Sequence, residues 1–558
     1  MNTNKIYIII AFIILISGIT ISLYLCKFGI NIDEPYQIMN SREYYYSPMS
    51  FLSSFIDGFI FKSLNMNWLS IRYYSRIINF LTILTTCLYV FKYKDKQYEC
   101  VSNASICVLL TAMCSTYFNV YGWDRQSMLH LTICIICFHS YIQKPTIAKL
   151  IFLSILSVST TLCRLPNIAI IPLISLLIFL QHGIPLKNKF VNIVIYFSSS
   201  IVILLFSIII FYDSVNNYLL ILSNNTINNH NLSQIIANII SDIFQISCIC
   251  LVFLVIYKSI KHIDRKFGNL LSLLSVFLFS LLLCAVLIYK TGGYMLFYRK
   301  YVLSITIFLA SYIILNKETS KQSKFIIVSI LCLSFVSTIG SDTGLSKALV
   351  LPLIPFLFYF IKPIINNAIK KTAICVFAAA ILTNIIYYYK FSFSDSVISL
   401  TTAKINNPLA EGILTTKEKA KTINIIDSII SEYTVKNYQP IVIGYDTNRY
   451  IFEYLYNSRN EYLRHYWNTN DDLYNDKHYN NYISQCISNK NSIILYLKSN
   501  NDRNLIYHNL SNNCILIHSS ENYTIFIFKY QKGTARKRCL SDIYMKGTLI
   551  LPLRFQAS

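Results

Sequence analysis

The chain has 558 residues, of which 54% are hydrophobic and only 13% are charged, where a water-soluble globular protein carries roughly 25% charged residues. That balance excludes a chain solvated mainly by water. The net charge of +23 would suit nucleic acid only if it gathered on one soluble face. Here it is spread over short loops between apolar runs, so no nucleic-acid partner is expected and the charge is a topology signal.

Apolar runs of about twenty residues are long enough to cross a hydrocarbon core of roughly 30 Å, and in lipid they must be helical so that the backbone satisfies its own hydrogen bonds. The first, from Ile6 to about Cys26, is longer than a signal-peptide core and lacks a small-residue cleavage site. It is expected to be a retained span. Further spans are expected near 69–91, 101–118, 127–142, 149–163, 167–181, 190–212, 236–257, 270–289, 301–316, 325–338, 348–361 and 372–389. The fold class expected is therefore an α-helical polytopic membrane protein of about thirteen transmembrane helices over residues 1–390, followed by a mixed α/β domain over 391–558.

Alternate connections separate by charge. Lys92/Lys94/Lys96, Lys144/Lys149, Lys187/Lys189, Lys258/Lys261/Arg265/Lys266, Lys317/Lys321/Lys324 and Lys362/Lys370/Lys371 mark one set. Lys and Arg resist translocation, so these face the cytoplasm. The other set comprises 27–68, 119–126, the Asn-rich 213–235, 290–300 and 339–347, and faces outward. An odd number of spans places the N-terminus in the cytoplasm and the C-terminal domain outside. The Ile, Lys, Asn and Tyr bias points to a bacterial host, hence to its inner (plasma) membrane.

From about Phe391 hydrophobicity falls. A helical segment near 416–434 precedes strand-like runs PIVIGYD at 440–446, SIILYLK at 492–498 and YTIFIFKY at 523–530, and a basic tail follows. No glycine-rich phosphate loop is present. Most of the 16 cysteines lie in apolar runs as packing residues. Cys486, Cys514 and Cys539 allow one disulfide at most in the terminal domain.

The first outward loop opens with NIDEPYQ at 31–37, which places Asp33 and Glu34 just after the first span. Carboxylates held where a bilayer interface meets protein are costly and tend to be functional; the plain alternative is an acidic loop beside a proline turn. Among the few cations of the outward connections are Arg125 in YGWDRQS, Arg164 in CRLPN, Arg299 and Lys300 in YMLFYRKY, and Lys347 in GSDTGLSK. Each has the alternative role of a snorkelling interfacial cation. Asp124 and Asp342 would add oxygen donors for magnesium or manganese beside Asp33. Such residues more often cap helices, and no metal site is assigned. The many outer Tyr, Trp and Phe residues suit an aromatic belt at the headgroups.

An Asp-Glu pair just after the first span of a multi-span protein resembles the signature of GT-C glycosyltransferases, which include the protein O-mannosyltransferases and the lipid A aminoarabinose transferases. A long first outer loop with a second interfacial helix at 48–64, the span opening LSIRYYSRIINF at 69–80 and the stretch CRLPNIAIIPL at 163–173 are similar to features of that group. Relatives often carry a basic residue and a Tyr soon after the pair, whereas Pro35, Tyr36 and Gln37 follow here, which leaves the acceptor class open. The resemblance implies an inverting transfer from a polyprenyl-phosphate sugar donor to a glycan, lipid or protein acceptor at the outer face of the bilayer. It makes Asp33 the base and Glu34 its supporting residue. Arg164, Arg299, Lys300, Arg125 and Lys347 become the donor-phosphate ligands, with Arg suited to bidentate contact. An O-antigen or capsule polymerase, and a non-enzymatic flippase or transporter of lipid-linked sugars, are the alternatives.

Overall fold

In a computed structural model, residues 3–31, 33–42, 50–91, 122, 124–223, 232–267, 269–291, 294–339, 344–349, 353–361, 367–390, 395, 398–444, 448–457, 491–498 and 505–528 are described. The expected span at 101–118, the basic tail, Asp342, Cys486 and Cys539 lie outside the described residues. The chain divides into two compact units, Met1–Asn424 and Ile425–Ser558.

The first unit is helical. Its order is α1 (Thr3–Leu25), α2 (Asp33–Arg42), α3 (Phe51–Ser63), α4 (Trp68–Phe91), α5 (Asp124–Gln143), α6 (Ile147–Cys163), α7 (Ile170–Leu180), α8 (Leu186–Ile210) and α9 (Tyr212–Ser223). It continues through α10 (Leu232–Phe267), α11 (Asn269–Thr291), α12 (Tyr294–Leu315), α13 (Lys321–Phe335), α14 (Leu353–Ile361) and α15 (Asn367–Lys390). Short 3-10 turns at Leu165–Ala169, Val336–Thr338 and Gly344–Lys347 link them.

Among the described residues, three helical segments are long and apolar enough to cross a membrane, Leu186–Ile210, Ile235–Ile260 and Lys321–Thr338. Further apolar stretches, in α1, α6, α7 with the turn before it, α11 and α12, are Ile16–Leu25, Ile147–Cys163, Leu165–Leu180, Leu273–Val286 and Lys300–Leu315. The outer face of α8 presents Val194, Val202, Leu205, Phe206 and Ile209 to the surroundings, a contiguous apolar surface that water would not tolerate and lipid does. This chain associates with a membrane through such helices. The expected Asn-rich loop at 213–235 is helical at both ends. α9 runs to Ser223 and α10 starts at Leu232, because the apolar residues of YLLILS and of LSQIIANII continue the helical stripes into what composition marks as a loop.

Hydroxyl side chains sit inside this apolar unit without cost because they bond back to their own helix. Thr82, Thr86, Ser154, Ser157, Thr160 and Thr161 each donate to the carbonyl four residues earlier. Some also bridge helices: Ser154 donates to the Tyr196 carbonyl at 3.0 Å and the Tyr196 hydroxyl to Ser157 Oγ at 2.8 Å. Interhelical bonds of this kind stabilise packing where burial alone offers no preference between lipid and protein.

After α15 the chain forms a small hairpin, β1 (Ala403–Lys404) paired antiparallel with β2 (Leu414–Thr415), and enters α16 (Lys417–Val435). The second unit holds a four-stranded sheet of order β3-β4-β6-β5. Its strands are β3 (Gln439–Gly444), β4 (Ser492–Leu497), β5 (Ile515–Ser519) and β6 (Tyr523–Phe528). β3 and β4 are parallel, and the remaining pairs are antiparallel. α17 (Arg449–Leu455) and α18 (Leu505–Asn513) complete it. β4 is buried along its whole length, as a central strand covered on both faces must be. β5 is an edge strand with partly exposed residues and a register shift between Leu516 and His518. Sequence patterning passes over it because its apolar run is only three residues long before His518 and Ser519.

Candidate functional site

α2 begins with the Asp-Glu-Pro triplet. Acidic residues in a first turn complement the helix dipole, and Pro35 costs no hydrogen bond there because first-turn N–H groups have no intrahelical partner. Glu34 is fully buried and accepts from Arg72 of α4, whose Nη2 lies 2.6 Å and whose Nε lies 3.0 Å from its carboxylate. The rest of the Arg72 fork is spent on backbone: Nη1 donates to the carbonyls of Cys26 at 2.8 Å and Phe28 at 3.4 Å, and Nη2 to that of Gly29 at 2.9 Å. The Trp68 ring lies 5.5 Å from the same guanidinium, a cation–π contact in a fully buried setting. One arginine therefore ties the end of α1, the loop after it and the start of α2 into a single body. The Glu34 carboxylate is engaged by Arg72. Asp33, whose side chain lies outside the described atoms, is the first residue of the helix so placed.

Around this anchor is a layer of buried polar groups drawn from α3, α4, α5 and the turn after α6. Asp57 accepts from the Tyr74 hydroxyl at 2.8 Å and from Gln126 Nε2 at 3.1 Å. Gln126 also reaches Tyr74 at 2.5 Å. Arg125 donates to Asn79 at 3.5 Å. Arg72, Arg76 and Asn79 follow one another at helical spacing on one face of α4, and all are buried. Ser53 of α3 donates to the Cys163 carbonyl at 3.0 Å, which holds the turn bearing Arg164. Arg164 itself contacts Asp124 at 3.9 Å and donates to Asn167 at 3.1 Å, and Asn167 donates to Ser127 at 2.9 Å. Arg125 and Arg164 are thus brought to one end of the α5–α6 pair. Lys144 and Lys149 stand together at its other end, where Lys149 Nζ donates to the Lys144 carbonyl at 3.0 Å.

A second polar node joins α10, α12 and the 344–347 turn. Lys300 lies 2.7 Å from Asp242 and 3.0 Å from Gln245 Oε1, and Asp242 also accepts from the Leu345 N–H at 2.8 Å. Lys300 was expected as a phosphate ligand, and its charge is already balanced by Asp242. The neighbouring Arg299 and Lys347 have side chains outside the described atoms. The 344–347 turn packs on the 336–338 turn, and that on the 165–169 turn after Arg164, so both polar nodes lie at the same end of the helical unit. Among the described residues no group of His, Cys, Asp or Glu is arranged to hold a metal ion.

Arg72, Arg76 and Asp242 are passed over by reading the sequence for outward loops, because each lies within an expected apolar span, and Asp57 is passed over although the loop 27–68 contains it. Their signal was present: ionisable residues inside otherwise apolar segments such as LSIRYYSRIINF and SDIFQISCIC are costly and mark functional or specifying sites. No protein-family model and no curated protein sequence matches this chain.

Proposed function

We propose that this chain is an integral membrane glycosyltransferase of the GT-C type, with about thirteen spans within residues 1–390. It would move a sugar from a polyprenyl-phosphate donor to an acceptor on the extracytoplasmic side. The observation that carries this reading is the buried Glu34–Arg72 pair and the loop carbonyls gathered on the same guanidinium. A buried ion pair is often no more stabilising than apolar residues of the same size. Its use here is to fix one geometry, that of the loop and helix start bearing Asp33, beside a layer rich in buried arginine.

In the proposed reaction the acceptor hydroxyl oxygen attacks the anomeric carbon as the bond from that carbon to the phosphate oxygen breaks. The hydroxyl proton passes to the Asp33 carboxylate, and polyprenyl phosphate leaves with the bonding pair. Inversion follows from attack opposite the leaving group. Arg125 and Arg164, with Arg299 and Lys347, would stabilise the departing phosphate. Lys300 would contribute less, since Asp242 already balances it. N-terminus in the cytoplasm, terminal domain outside, and a bacterial inner membrane complete the proposal.

The test is transfer by the purified protein from polyprenyl-phosphate sugars presented in mixed micelles, with release of polyprenyl phosphate as the readout. Asp33→Asn is expected to abolish release while leaving the melting temperature unchanged. Full activity in that variant would refute the role of Asp33, and no release from any such donor would refute the reaction class.

A further inference from the structure

The loop after α1 is held from two sides. Arg72 takes the carbonyls of Cys26, Phe28 and Gly29. The groups on the other edge are taken by a residue almost four hundred positions later: Leu414 N–H donates to the Lys27 carbonyl at 2.7 Å, and Gly29 N–H donates to the Leu414 carbonyl at 2.9 Å. Phe28 and Leu414 form a parallel bridge, so residues 27–29 extend the β1–β2 hairpin as a third, very short strand. Gly29 has φ of 83°, which lets its carbonyl turn to Arg72 while its N–H faces Leu414.

The hairpin is fastened to the same end of α4. Asn67 caps α4 by accepting from the Ser70 N–H at 2.9 Å, and its Nδ2 donates to the carbonyls of Pro408 and Glu411, each at 3.4 Å. Gly412, at φ of 87°, packs so closely that an added Cβ would stand 2.5 Å from Leu69 Cδ2. Behind it Thr415 is fully buried and bonded to Asp395, whose other oxygen pairs with Lys419 Nζ at 2.9 Å.

We infer that residues 403–415 are a strap that completes the carboxylate loop, with Asn67 and Leu414 as positioning residues for the chemistry at Asp33. The inference rests on the proposed transfer for its functional half alone. Without the strap, the Lys27 carbonyl and the Gly29 N–H lose their partners, and the loop keeps only its Arg72 edge.

Hydrogen–deuterium exchange on the full-length protein in detergent reads this without any substrate. Asn67→Asp keeps the cap oxygen and removes the two donated bonds, and Leu414→Pro removes the bond to Lys27. Each is expected to speed exchange at residues 27–29 by about tenfold, which one or two net hydrogen bonds would supply. Exchange in α5 and α6 should stay unchanged. Unaltered exchange at 27–29 in both variants would overturn the strap. The pair Phe28→Cys with Leu414→Cys guards against misfolding: it should oxidise readily to a disulfide and retain slow exchange, and failure to cross-link would equally overturn it. If exchange rises in Asn67→Asp while transfer stays at the wild-type rate, the positioning role fails although the strap stands. If exchange responds and no donor is ever turned over, the strap stands and the glycosyltransferase reading falls.

Discussion

Replacing Arg72 by Met is the most informative single change to the helical unit. The methionine fills most of the volume but leaves the fully buried Glu34 carboxylate and the carbonyls of Cys26, Phe28 and Gly29 without the donors that Arg72 supplies. Removing one partner of a buried pair costs about 3–5 kcal/mol, because the remaining charge is stranded. The cost should appear as a lower melting temperature in detergent and as faster exchange across residues 26–34. Adding Glu34→Gln to Arg72→Met removes the carboxylate that has lost its arginine and should recover part of the loss, giving a coupling of at least about 2 kcal/mol in a double-mutant cycle. Arg72→Lys should recover little, since an ammonium cannot serve a carboxylate and a row of carbonyls as the planar fork does. A loss under about 1 kcal/mol for Arg72→Met, with no coupling to Glu34, would refute the view that this pair fixes the loop.

Other expectations follow from the same packing. A Cβ at Gly58 of α3 would collide with the Ser41 carbonyl of α2, so Gly58→Ala should destabilise by about 1–3 kcal/mol in a thermal-shift assay. Because α2 carries Asp33, transfer should fall with it. Gly344→Ala faces both a φ of +60° and the Asp242 carboxylate. It should lower the melting temperature more than Asp242→Ser, in which that carboxylate is gone, and the double variant should lose less than the sum of the two. A reporter fused after Ser558 should behave as extracytoplasmic, and a cytoplasmic signal would overturn the proposed orientation.

Much of this chain is legible from periodicity and composition. Among the described residues, the apolar helices, the helix at 51–63, α16 and the strands β3, β4 and β6 stand near where hydrophobic patterning places them, since each buries a continuous stripe or run that local spacing reveals. Asp33 and Glu34 stand out because paired carboxylates just after a long apolar run are conspicuous. Patterning cannot say which of two adjacent carboxylates is spent. Glu34 belongs to Arg72 only because α4 returns past the end of α1, and Lys300 to Asp242 only because α10 and α12 lie together.

The pairing of residues 27–29 with Leu414 is the clearest case. Composition assigns the segment after Phe391 to the terminal domain, whereas residues 403–415 form an edge of the first loop. Backbone hydrogen bonds depend on proximity and not on side-chain identity, so no residue in either segment announces the other. What the sequence determined by itself is which segments shun water and which residues are too costly to be idle. Which of those residues meet is decided by long-range packing, which alone supplies the partners that buried charges and unpaired backbone groups require.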